Sequence, residues 1–142
     1  MSNRTDILAE ARTWIGTPYH HQACAKGVGV DCGMLIVGVG VALGLMPMLP
    51  PELRTYGRLP NPEKMRSTIM QFMDPVDGIP QPGDALYMGW RVGMPMHMGI
   101  LTDLHGRGIL HSLADAGKVV ETVLPSAYEP LIESWWKYRG LE

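Results

Sequence analysis

Cys32 is the residue of this sequence best placed for nucleophilic chemistry. It follows the glycine-bearing residues 28–31 and precedes an uncharged apolar run that ends near Leu45, which predicts a buried helix beginning at the cysteine. Free peptide N–H groups and the dipole at a helix N-terminus lower the pKa of a thiol. Asp31 is a suitable N-cap for the same helix. We therefore predict a reactive thiolate at Cys32.

Two histidines could supply the base that such a thiol needs and the group that orients it. His97 opens a predicted strand, and His111 lies in the next one. If residues 104–106 form a three-residue turn with Gly106 in the left-handed conformation, the two histidines are diagonal neighbours on one face, about 7–8 Å apart at Cα. A two-residue turn would place them on opposite faces. The catalytic interpretation therefore predicts the three-residue turn.

The other histidines and the second cysteine have simpler interpretations. His20 and His21 are expected to shape a wall of the cleft, and His105 to lie in a surface turn. Together with Cys24 and Cys32, His20 and His21 could also be read as a zinc set, but their spacing fits no pattern of a closed zinc site. Cys24 has no helix start behind it, so Cys32 is the better nucleophile. We predict neither a metal nor a cofactor.

The elements that position these residues change in character along the chain. Helices are predicted at 3–15, from 32 to about 45 and, with Asn61 as N-cap and Pro62 as the first helical residue, from 62 to about 73. Prolines predict irregular structure from 46 to 62. Strands of an antiparallel meander are then predicted at 84–90, 97–103, 108–113, 118–124 and 134–139. Helices followed by strands predict an α+β fold, with the helices packed on a sheet of about five strands.

The apolar run at 34–49 is expected to be core and not a membrane span. It is shorter than the roughly 20 residues that a bilayer requires, and it is interrupted by Gly38, Gly40, Gly44 and Pro47. Glycines weaken a helix by up to about 1 kcal/mol each relative to alanine. Something must therefore pack closely against this helix, and a sheet is the expected partner.

Composition limits the class of protein. The 142 residues, 46% of them hydrophobic and 18% charged with a formal net charge of −2, predict one globular domain over 1–142. No basic field is present to attract nucleic acid or acidic lipid. The N-terminus shows no signal-peptide pattern, which predicts synthesis in the cytoplasm with both cysteines as free thiols.

Six short motifs, in this order, resemble those of the NlpC-type (NlpC and p-sixty) cell-wall peptidases, a papain-like family. They are Gly-Thr-Pro-Tyr at 16–19, Gly-Val-Asp-Cys-Gly at 29–33, Pro-Gly-Asp-Ala-Leu at 82–86, His-Met-Gly-Ile at 97–100, Ile-Leu-His-Ser at 109–112 and Gly-Lys-Val-Val-Glu at 117–121. The resemblance implies a papain-like fold with Cys32 as nucleophile, His97 as base and His111 as the orienting third member. It implies that Tyr19 helps the oxyanion hole, and we place His21 and Asp31 in the same cleft.

Within that family the sequence is more similar to the phage-tail and gene-transfer-agent branch, through Tyr-His-His-Gln-Ala at 19–23 and Lys-Gly-Val-Gly at 26–29. The likeness implies hydrolysis of peptidoglycan stem peptides, commonly between D-glutamate and a diamino acid, by a tail component acting in the periplasm or cell wall. The chain departs from the family at Met34, where glycine is usual, and at Leu101, where an aromatic residue is usual. Two alternatives stay open: a structural tail-tip module with little or no activity, and a peptidoglycan amidase on the same fold.

Overall fold

The computed structural model describes residues 2–59 and 61–141, in which helices precede most of the strands. The helices are α1 (Arg4–Arg12), α2 (Cys32–Ala42), α3 (Pro51–Arg54) and α4 (Pro62–Phe72). The strands are β1 (Cys24–Ala25), β2 (Gly29–Val30), β3 (Met73–Pro75), β4 (Ala85–Gly89), β5 (Pro95–Thr102), β6 (Gly108–Leu113), β7 (Lys118–Val123) and β8 (Ile132–Tyr138). The predicted α+β class is confirmed.

The main sheet has six antiparallel strands in the order β3-β8-β4-β5-β6-β7. All five predicted strands are present, but two features differ from the prediction. The last strand does not extend the meander, because β8 returns to pair with β4. In addition, β3 forms a short sixth strand at the edge beside β8, where Pro75 is tolerated because an edge strand can lack a peptide N–H.

The first helix begins where the sequence predicts but ends earlier than predicted. Asn3 caps α1, and its side chain and that of Asp6 form a reciprocal capping box. The helix ends at Arg12, earlier than predicted. As a result Trp14 is buried in the turn that follows, whereas Ile15, expected on the buried face, is 47% exposed.

Close packing against the glycines of α2 has two sources. A Cβ at Gly38 would lie 2.6 Å from the ring of Trp14, and a Cβ at Gly40 would lie 2.8 Å from the ring of Tyr138 in β8. The expected sheet partner is therefore present at Gly40, but at Gly38 the partner is the turn after α1. The helix ends at Ala42, before Gly44 with its positive φ of 71°. Within the described residues no helix is both long and apolar enough to cross a membrane.

Two segments expected to be irregular contain short regular elements. The loop before Cys32 includes the small antiparallel pair β1–β2. The segment expected to be irregular at 46–62 includes α3, whose first residue is Pro51, a position where a missing N–H costs no helical hydrogen bond. Pro60, in the same segment, lies outside the described residues. Both elements are too short for their periodicity to be visible in the sequence.

We expect replacement of Gly38 by alanine to destabilise the protein despite the higher helix propensity of alanine. The added methyl group would overlap the Trp14 ring, and such overpacking costs about 1–3 kcal/mol in free energy of unfolding. Gly33→Ala in the same helix is the control, since a Cβ there would meet only Met65 Cε at 3.9 Å. Urea denaturation measures both. A Gly38→Ala variant as stable as the parent would contradict this packing.

Candidate active site

The carboxylate of Asp31 organises the chain around the first turn of α2. Its Oδ1 accepts a hydrogen bond from the peptide N–H of Met34 at 2.8 Å, which makes Asp31 the N-cap, as predicted. Its Oδ2 accepts from the peptide N–H of Gln22 at 2.8 Å and from the hydroxyl of Tyr56. Asp31 is buried. One carboxylate thus connects the start of α2, the loop before it and the segment after α3, and it does so directly beside Cys32.

Tyr56 is a residue of this site that the sequence did not reveal. Its carbonyl oxygen lies 3.1 Å from Nε2 of His21 and accepts a further hydrogen bond from the side-chain amide of Gln22. The rings of Tyr56 and His21 meet edge to face, with centroids 5.3 Å apart. Burial, and then the charge of Asp31, raise the pKa of Tyr56, so its hydroxyl stays a donor. His21 therefore lies in the cleft wall, as expected, and holds Tyr56 there.

Tyr19 is a further residue close to Cys32 and Asp31. Its peptide N–H donates to the carbonyl of Gly117 at 2.8 Å, and Tyr19 forms a parallel bridge with Val30. Burial raises the pKa of the Tyr19 hydroxyl, and the neighbouring Cys32 and Asp31 add to this. The protonated hydroxyl is therefore available as a donor near the thiol.

His97 and His111 are in direct contact. Nε2 of His97 lies 2.8 Å from Nδ1 of His111, and both residues are buried. The predicted three-residue turn is confirmed, because β5 and β6 pair Thr102 with Gly108 and Gly106 has a φ of 91°. The turn thus sets the register that makes the histidines diagonal neighbours.

A glycine between the two histidines leaves room for their contact. A Cβ at Gly99 would lie 2.9 Å from the side chain of Ile109 and 3.3 Å from Cβ of His111. Any larger residue would push β6 away at this point. The His-Met-Gly-Ile motif therefore combines the histidine with the space that its partner needs.

The sheet is also fixed against the loop that leads to Cys32. The hydroxyl of Ser112, the residue after His111, donates to the carbonyl of Val30 at 2.7 Å, and Ser112 is fully buried. Val30 lies two residues before Cys32. This one hydrogen bond couples the position of the thiol to the strand that carries His111.

Trp90 is the second site residue that sequence reasoning missed. Its ring lies over that of His97 at a centroid distance of 5.1 Å, and the ring of Tyr128 packs edge-on against Trp90 at 5.5 Å. Trp90 follows β4 in the turn before β5 and is 42% exposed. It therefore shields one face of His97 from water. An isolated tryptophan in a turn carries no sequence signal for this role.

The thiol of Cys32 lies against the backbone of β5. The peptide N–H of Met98, the residue after His97, faces the thiol and lowers its pKa, as do the N–H groups of Gly33 and of Cys32 itself. In the part of the chain that the structure describes, Sγ makes no hydrogen bond to the imidazole of His97. Since Nε2 of His97 contacts His111, Nδ1 is the ring nitrogen left to take up a proton. The thiol thus lies beside the strand that carries His97, without a hydrogen bond to its imidazole.

The expected thiolate is not the resting form of Cys32. Burial raises the pKa of the thiol to about 11, and the charge of Asp31 adds to this effect, while the three peptide N–H groups oppose it. Burial also lowers the pKa of His97, and His111 lowers it further. Both shifts favour a neutral thiol and a neutral imidazole. The predicted ion pair is therefore wrong for this state, because desolvation outweighs the helix N-terminus.

The four residues of the zinc alternative do not form a cluster. Nδ1 of His20 lies 3.2 Å from the carbonyl of His21, and Nε2 of His21 faces Tyr56. The thiol of Cys24 donates to the carbonyl of Met34 at 3.3 Å. Across residues 2–59 and 61–141, no three His, Cys, Asp or Glu side chains are grouped so as to hold a metal ion.

A cavity of about 360 Å³ opens beside Cys32. Tyr19, His21, Asp31 and Cys32 line its polar end, so the structure brings these predicted residues together. His97, in β5, and His111, in β6, are not part of its lining. Much of the rest of the wall, from α2, α4 and neighbouring segments, is apolar and includes Met34, Met46, Met65, Met73, Met96 and Met98. Met34 itself is buried in the core.

Comparisons with known proteins identify the fold. No protein-family model matches the chain, and no curated protein matches it in sequence. Among solved structures, it is similar to the NlpC/p60 domain of the peptidoglycan hydrolase SagA, with 19% identity, a TM-score of 0.58 and coverage of 96% of this chain and 98% of that one. It is also similar to an NlpC/p60 family protein from Bacillus cereus, with 17% identity, a TM-score of 0.67 and 96% of this chain covered.

The chain spans 40% of that Bacillus cereus protein. An N-acetylmuramoyl-L-alanine amidase from Bacteroides uniformis has the same architecture at 12% identity, with a TM-score of 0.52, over 96% of this chain and 98% of that one. At these identities the likeness defines the fold and not the chemistry. The chain has the NlpC/p60 fold.

We expect the pH dependence of the rate at which iodoacetamide alkylates Cys32 to reflect the raised pKa of its thiol. Only the thiolate reacts, so the rate should increase about tenfold per pH unit and level off only near pH 11, without a step near pH 6. Peptide mapping by mass spectrometry separates Cys32 from Cys24, which is the internal reference. A rate that levels off below about pH 8 would show that an ion pair forms after all.

Proposed function

We propose that the chain is a cysteine peptidase that hydrolyses the stem peptides of peptidoglycan. The observation that carries the proposal is the position of Cys32, which begins a buried helix at a cavity and lies against the strand of the His97–His111 pair. The NlpC/p60 fold, shared with a domain of a peptidoglycan hydrolase, supports the same substrate class. A cysteine with a histidine base and a residue to orient that base is the set of groups that acyl transfer to a thiol needs, which supports the proposal.

In the proposed reaction, His97 acts as a general base during attack. Attack requires Sγ of Cys32 to reach Nδ1 of His97, which takes the thiol proton as Sγ bonds to the peptide carbonyl carbon. Nε2–H of His97 donates to Nδ1 of His111, so His111 orients the imidazole and stabilises its charge. The imidazolium then protonates the leaving amine, and water, activated by His97, hydrolyses the thioester.

The oxyanion needs donors that are already in place. The peptide N–H of Cys32 and the hydroxyl of Tyr19 are proposed for this role, and each such donor is worth roughly 2.7–4 kcal/mol in a preorganised site. The raised pKa of Tyr19 favours it as a donor. Asp31 has a different role, since its oxygens are occupied by Met34, Gln22 and Tyr56.

We expect Cys32→Ala to abolish release of peptides from purified peptidoglycan. His97→Ala should lower the rate by about 10²–10⁴-fold through loss of the base, and His111→Ala should leave measurable turnover, because it removes orientation only. Cys24→Ser, at the cysteine that does not line the cavity, is the control. Mass spectrometry of the products measures release and also identifies the bond. Equal activity of Cys32→Ala and the parent would disprove the mechanism.

The product masses also decide between two reactions. Cleavage between D-glutamate and the diamino acid is the proposed endopeptidase reaction, whereas cleavage at the sugar–peptide junction would indicate an amidase, the activity named for the Bacteroides uniformis neighbour. A structural module with little activity is the remaining candidate. The raised pKa of Cys32 and its missing hydrogen bond to His97 favour that candidate.

We further propose that the protein is a component of a phage tail or gene transfer agent, acting in the periplasm or cell wall. The support is the sequence resemblance at 19–23 and 26–29. Particles purified by density gradient should contain the chain at a constant ratio to the other tail proteins, as measured by quantitative mass spectrometry. Recovery of the chain only in particle-free fractions would contradict this role.

A further inference from the structure

The cavity beside Cys32 has a mainly apolar wall, which a peptide of charged and polar residues would not need for binding. Beyond the polar end, its wall consists mainly of aliphatic and methionine side chains, among them Leu49, Leu53, Met65 and Ile69. Its 360 Å³ offers room for about twelve groups of the size of a water molecule. Water in such a cavity finds few hydrogen-bond partners, so an apolar group would replace it favourably.

The mouth of this cavity carries positive charge. Arg58 and Lys64 both line it and are exposed. The carboxylate in its lining, Asp31, is buried and bound to three internal donors, so it offers little to an incoming cation. A ligand with a negative head group and an apolar body therefore matches both ends of the cavity.

Methionines make this wall adaptable. Met46, Met65, Met96 and Met98 surround the space, and unbranched thioether side chains can repack around ligands of different shape. Met65 belongs to α4, the helix that forms one side of the cavity. The lining thus suits a flexible chain better than a rigid ring.

We propose that this cavity binds the aliphatic chain of an anionic amphiphile, a medium-chain acyl compound of about ten carbon atoms. The chain lies between α2 and α4, and the carboxyl end reaches Arg58, Lys64 and the thiol of Cys32. This binding does not require the histidine pair, but it occupies the cavity at Cys32 that the proposed peptidase also uses.

The test measures protection of Cys32 from iodoacetamide at pH 9 by straight-chain carboxylates of 4, 6, 8 and 10 carbons, below micelle-forming concentrations. The concentration for half protection should decrease up to about fourfold per added methylene, since each buried methylene favours binding. Cys24, outside the cavity lining, should show no protection. Equal protection at all chain lengths would overturn the proposal, and this result needs no variant.

A matched pair of variants locates the binding site. Met65→Trp fills the cavity and should abolish the dependence on chain length, whereas Met70→Trp, on the exposed side of the same helix, should retain it. An unchanged series in Met65→Trp would overturn the location. Decyltrimethylammonium replaces the anionic head by a cation, and protection equal to that by decanoate would overturn the role of Arg58 and Lys64.

These outcomes are separable from those of the proposed peptidase. If the protein releases no peptides but Cys32 protection depends on chain length, the proposed cavity site stands and the proposed hydrolase function is contradicted. If the protein releases peptides but Cys32 protection does not depend on chain length, the hydrolase function stands and the proposed cavity site is contradicted.

Discussion

The buried carboxylate of Asp31 is the interaction on which the site depends. It accepts hydrogen bonds from three segments that are separate in the sequence, through Met34, Gln22 and Tyr56. A buried charge is tolerated only when its hydrogen bonds are satisfied, and loss of one donor leaves a costly unpaired oxygen. The start of α2, the loop before it and the segment after α3 therefore hold their positions together. Because Cys32 directly follows Asp31, these hydrogen bonds also fix the position of Cys32.

The parts of the fold that could be predicted are those specified by neighbours in sequence. The N-cap at Asp31 and the left-handed Gly106 in the turn between β5 and β6 are examples. That single turn fixed the register of two strands and so the contact between His97 and His111. Where a short pattern dictates backbone geometry, one sequence suffices.

The parts that could not be predicted depend on contacts between distant segments. Tyr56 and Trp90 lie in turns without periodicity, and only the folded chain shows that one meets Asp31 and the other His97. The protonation state of Cys32 was predicted wrongly for a related reason. A helix N-terminus is worth about 0.3–1 kcal/mol, whereas burying a charge costs several. The sequence shows the first effect but not the second, because burial belongs to the whole structure.

A thiol that stays protonated until a base is brought to it has a chemical consequence. Peroxides and disulfides are attacked by thiolates, so a neutral cysteine is oxidised slowly and exchanges slowly with other disulfides. The burial that delays ionisation of Cys32 therefore also preserves it. A protein that had to cross from a reducing to an oxidising compartment would arrive with this sulfur intact.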